Sequence, residues 1–90
     1  MAVNIRLATE LGEVLRQRRE GLGLSKKAVA ERAGRVREVV YRLENGEEAS
    51  VSSLFDVLRA LNLAMRLEPA GLPTMEEVAA AFNKDDDDAA

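Results

Sequence analysis

Leu24-Ser25-Lys26-Lys27-Ala28-Val29-Ala30-Glu31-Arg32-Ala33-Gly34, followed directly by Arg35-Val36-Arg37-Glu38-Val39-Val40-Tyr41-Arg42-Leu43-Glu44-Asn45-Gly46, is the stretch on which the fold turns. Ser25 has the chemistry of an N-cap, because its hydroxyl can accept from the free amides of the turn that follows. Val29, Ala30 and Ala33 then fall on one helical face. Gly34 tolerates the left-handed conformation that stops a helix and re-aims the chain. A second helix, about Val36 to Glu44, turns Val39, Val40 and Leu43 inward and stops at Asn45-Gly46. The stretch therefore reads as two short helices joined by a tight turn, with Arg37, Glu38, Tyr41 and Arg42 on the outer face of the later one.

The same periodicity extends outward. Leu7, Leu11, Val14 and Leu15 place an earlier helix at about Ile5 to Glu20, closed by Gly21 and Gly23. Ser50 caps a later helix carrying Leu54, Leu58 and Leu61, with Asn62 as its stop. Leu63 to Glu68 alternates apolar and polar in its second half, which favours a short strand. Pro69 to Pro73 reads as a linker, and Thr74 with Glu77 as a capping box opening a last helix to about Phe82. Asp85 to Asp88 has nothing to bury and is expected to be disordered. This divides the chain into a domain at 1–69 that includes the strand, a linker and C-terminal helix at 70–84, and an acidic tail at 85–90.

Ninety residues suffice for one small domain. Such a domain buries only about 60% of its unfolded surface, so a second copy would add useful stability. The chain has no Cys and no His, which removes the usual zinc sites, thiol chemistry and imidazole bases. It shows neither a glycine-rich phosphate loop nor a carboxylate pair set for catalysis, so neither an enzyme nor a cofactor is expected. The acidic run lacks the rigidity to enforce a cation's geometry, so no metal site is expected either. No apolar run approaches the roughly 20 residues of a membrane span, and Met1 to Arg6 lacks the form of a signal peptide, which points to the cytoplasm. The net charge of −3 hides an uneven distribution. Arg16 to Arg42 holds nine Lys or Arg against three Glu, a net +6, whereas Ala70 to Ala90 holds one Lys against six acids, a net −5. The basic half has the field that phosphates attract, although a well-solvated helical surface has a similar composition.

Leu24, Ser25, Val29, Ala30, Ala33, Gly34, Val40, Glu44 and Gly46 fall on the pattern of the Cro/C1 (XRE) family of helix-turn-helix regulators, which the chain resembles from roughly Leu11 to Leu67. The resemblance implies an all-α fold: a compact four- to five-helix, phage-repressor-like DNA-binding domain with a short C-terminal strand at a dimer interface. Two positions depart from the family pattern. Arg35 stands where an apolar residue is usual, and Val36 stands where Ser or Thr is usual, which removes a cap and a hydroxyl from the start of the later helix.

What the resemblance implies for function is sequence-specific binding of double-stranded DNA by a transcriptional repressor, with the later helix in the major groove. Arg37, Glu38 and Arg42 match positions that reach base edges; arginine can grip guanine and glutamate can accept from cytosine. Tyr41 shares their face and is grouped with the base readers, able also to pack on a sugar or to stabilise the helix surface. Outside this context the same residues would simply solubilise a helix. Ser25 and Asn45 match backbone-contacting positions, and Lys26, Lys27 and Arg35 join them as phosphate contacts beside a helix N-terminus. Lys27 taken alone reads as a solvated lysine. Arg19 and Glu44 align with a structural ion pair rather than with DNA contacts.

Helix-turn-helix proteins pair on pseudo-palindromic sites, so a homodimer is expected. Ala64, Met65, Arg66, Leu67 and Glu68 resemble the C-terminal strand of HipB-like antitoxins, which pairs with its copy in the partner subunit; the alternative is an extended tail on its own bundle. A toxin protein as a further partner follows from that resemblance alone. Two alternatives stand beside the repressor: an antitoxin that autoregulates its operon, and a protein-interaction module that does not bind DNA.

Overall fold

Four helices carry the part of the chain that the computed structural model describes, residues 4–71 with 75, 76, 79 and 80. They are α1 (Ala8–Gly21), α2 (Lys26–Ala33), α3 (Arg37–Glu44) and α4 (Val51–Ala60). The fold is all-α, and no strand occurs among the described residues.

The helix boundaries have local causes. α1 begins at Ala8, three residues later than the apolar periodicity suggests, because Glu10 folds back over the chain before it. Its Oε1 accepts from the amides of Arg6 and Leu7 at 2.9 and 2.8 Å, which stabilises the extended entry at Leu7. Ser25 caps α2 as expected, accepting from the Ala28 amide at 3.0 Å, and Gly34 ends it at φ +67°. Ser50 caps α4 by accepting from the Ser53 amide at 3.1 Å, and Asn62 follows it at φ +56°. Asn is one of the few non-glycine residues that tolerates this conformation.

Leu15, Val29, Ala30, Ala33, Val40, Leu43, Val57, Leu58 and Leu61 form the core. α2 packs on both α3 and α4, while α1 packs on α3. The inner side of α3 is therefore held by Val40 and Leu43, with Val39 partly buried beside them. Gly12 is a buried residue that periodicity alone did not single out. A Cβ there would press on the Leu43 and Glu44 carbonyls, so its hydrogen side chain is what lets α1 approach the end of α3.

Ala64 to Glu68 is exposed and is not a strand in the single chain. A strand is defined by its ladder, and one copy of this fold offers the segment no ladder partner. It borders a groove of about 500 Å³, lined also by Ile5, Leu11, Val14 and Leu58. Met75, Glu76, Ala79 and Ala80 are helical and exposed, within the span read as a last helix. The capping box Thr74 and Glu77, the apolar Val78 and Phe82, and the Asp85–Asp88 run lie outside the described residues. No described helix is long and apolar enough to cross a membrane.

Candidate nucleic-acid interface

With Val40 and Leu43 buried, helical geometry turns Arg37, Glu38, Tyr41 and Arg42 outward, and all four are exposed. Ser25, Lys26 and Lys27 stand at the start of α2, and Lys26 meets the same surface. Contact between the two helices is direct: the Lys26 ammonium lies 3.9 Å from the centroid of the Tyr41 ring. Glu38 and Arg42 form an i,i+4 pair at 3.0 Å, with both side chains largely open to solvent. Such a pair is worth no more than a few tenths of a kcal/mol, about 0.3–0.5, so exchanging it for contacts to bases costs little.

The candidate phosphate contacts differ in how free they are. Ser25 accepts from Ala28 but keeps its hydroxyl proton, so it can cap its helix and still donate to a phosphate. Lys27 is exposed. The Asn45 amide donates to the Glu47 carboxylate at 3.4 Å, a weak contact that a phosphate can replace.

Arg35, which the sequence places among the phosphate contacts, holds an ion pair within the fold while its side chain stays 35% exposed. Its Nε donates to Asp56 at 2.7 Å, and a second nitrogen lies 3.4 Å from the Ser52 hydroxyl. Asp56 also accepts from Arg59 at 2.8 Å. The hydrogen bond from Arg35, aided by that from Arg59, holds the Asp56 carboxyl below the ordinary aspartate range, against the opposing effect of desolvation. An arginine where an apolar residue is usual thus becomes a clasp between the α2–α3 turn and α4. No local signal identifies Asp56 as its partner, because the two are separated by 21 residues.

Arg19 and Glu44 meet in a two-pronged contact at 2.7 and 3.1 Å, and a third nitrogen of Arg19 donates to the Leu24 carbonyl at 3.0 Å. Their side chains are only 11% and 5% exposed. The hydrogen bond and charge of Glu44 raise the already high pKa of Arg19, against the opposing effect of desolvation, so the guanidinium stays charged. Arg18 donates to the Leu61 carbonyl at 3.0 Å and ties α1 to the end of α4. Three arginines of the basic half are thus bonded within the fold; of the other six cations, Lys26, Lys27, Arg37 and Arg42 lie on α3 and the first turn of α2. Among the described residues no group of acids, Cys or His is arranged to hold a metal ion.

Comparison with known proteins agrees with this fold. Residues 10–70 match the model of the helix-turn-helix domain. A chain of the HipA–HipB–O2–O3 complex superposes with a TM-score of 0.73 at 21% identity, over 78% of this chain and 100% of that one. HipB in its complex with an O4 20mer gives 0.73 at 22% identity, over 78% and 100% of the two chains. The restriction-modification controller protein C.AhdI from Aeromonas hydrophila gives 0.59 at 28% identity, over 63% of this chain and 88% of that one. No curated protein matches.

Proposed function

The chain belongs to the helix-turn-helix domain family, and from that premise we propose that it is a transcriptional repressor that binds double-stranded DNA sequence-specifically as a homodimer. The observation that carries this reading is the division of α3: Val40 and Leu43 are buried, while Arg37, Glu38 and Arg42 are exposed beside the cationic first turn of α2. In this reading α3 lies in the major groove. Arg37 and Arg42 donate to guanine, and Glu38 accepts from cytosine once Arg42 releases it. Ser25, Lys26, Lys27 and Asn45 position the motif on the backbone, which sets register without reading sequence. The likeness to a restriction-modification controller protein supports a regulator.

The test is fluorescence anisotropy with a labelled duplex from upstream of the protein's own gene, against a scrambled duplex, at two salt concentrations. Preference for the first duplex, with affinity falling steeply as salt rises, is the expected result. Arg37→Ala should cost about 1–3 kcal/mol on the preferred duplex and relax its specificity. No binding to either duplex at low salt would overturn the reading. It would favour a protein partner instead, the alternative to which the likeness to a chain of the HipA–HipB assembly lends weight.

A further inference from the structure

Tyr41 shares the outer face of α3 with the candidate readers, yet its contacts differ from theirs. The Lys26 ammonium sits 3.9 Å from its ring centroid, and the Arg37 guanidinium carbon lies at 6.0 Å. Lys26 opens α2 and Tyr41 lies in the middle of α3, so the ring joins the two helices of the motif on their solvent side. Lys26 is partly buried as a result, whereas its neighbour Lys27 is exposed. Among the described residues nothing hydrogen-bonds the Tyr41 hydroxyl.

A cation over an aromatic face is held by the ring's quadrupole, and phenylalanine supplies that face as tyrosine does. Arg37 precedes Tyr41 by four residues, the spacing at which side chains on one helix meet. A free lysine loses considerable rotamer freedom when it grips a phosphate, and a lysine already ordered on a ring loses less.

We propose that Tyr41 is a positioning residue and not a base reader: its ring holds the Lys26 ammonium and braces Arg37. A phosphate-contacting cation of α2 and a base-reading cation of α3 are thereby presented to DNA at a set spacing. This assignment rests on the DNA-binding reading of the same face. The ring carries the effect and the hydroxyl does not.

The test combines a spectroscopic arm with a binding arm on the full chain. By NMR, the Lys26 side-chain methylene protons nearest the ammonium are shifted upfield by the ring in the wild type. The shift persists in Tyr41→Phe and disappears in Tyr41→Leu. On the upstream duplex, Tyr41→Leu weakens binding about two- to fivefold, the range of an exposed cation–π contact, and Tyr41→Phe retains what Tyr41→Leu loses. Lys26→Ala weakens binding by itself and costs less in the Tyr41→Leu background than in the wild type, because the ring acts through the lysine. Equal losses in Tyr41→Phe and Tyr41→Leu would show the hydroxyl reading a base and overturn the proposal. Additive losses of Tyr41→Leu and Lys26→Ala, or a wild type without the ring shift, would overturn it too. A wild type that binds neither duplex would sink the DNA-binding reading and this function of the ring with it, while the ring shift would still report the contact.

Discussion

All three guanidinium nitrogens of Arg19 are hydrogen-bonded inside the fold, two to Glu44 and one to the Leu24 carbonyl. Removing one partner of a buried pair leaves an uncompensated charge and costs about 3–5 kcal/mol. In a domain of this size that corresponds to a fall in melting temperature of more than about 10 °C. Arg19→Ala should show it by calorimetry, with Arg19→Lys recovering only part because an ammonium lacks the two-pronged fork. Unchanged melting with lost DNA binding would instead place Arg19 at the interface. Spacing to Glu44 made the pair legible through a family resemblance. Arg18 was not legible in the same way, since its acceptor is the carbonyl of Leu61, and main-chain acceptors leave no mark in a sequence. Gly12 was hidden for a related reason: its role depends on the approach of a second helix.

At the scale of elements, α3 starts without a side-chain cap, as the valine at position 36 implies. The turn before it is braced instead by Arg35, which grips Asp56 on α4. Because the Asp56 carboxyl is held below its ordinary pKa, the brace contributes fully above the unfolded-state value and is lost as pH falls through the folded-state one. Urea unfolding of the wild type and Asp56→Asn should therefore differ at neutral pH and converge in acid. A difference that persists in strong acid would mean the carboxylate charge is not what the clasp uses. The helix ends at Ser25, Gly34, Ser50 and Asn62 were legible because caps and stops are local chemistry. The start of α1 was not, because Glu10 overrides the apolar periodicity from within the first turn.

For the molecule as a whole, three exposed apolar residues lie on or beside the C-terminal segment. Phe55 is 47% exposed, Met65 41% and Leu67 87%. A second copy pairing through Ala64 to Glu68 would cover this surface and give the segment's amides their partners. Arg66→Pro removes a ladder donor from a segment outside the helical core, so it should yield a folded monomer by sedimentation velocity while the wild type sediments as a dimer. A wild-type monomer at micromolar concentration would count against pairing by this route.

The amino-acid sequence by itself determined the four helices, most of their ends, the buried face of α3 and the identity of its outward residues. These follow from periodicities and caps that act within a few residues of one another. Tertiary structure alone decided which partners Arg18, Lys26 and Arg35 meet. Arginines look alike along a chain, and only packing brought Arg35 to Asp56, Arg18 to the end of α4, and the Lys26 ammonium over the Tyr41 ring. Those contacts depend on distances across helices, which no local pattern encodes.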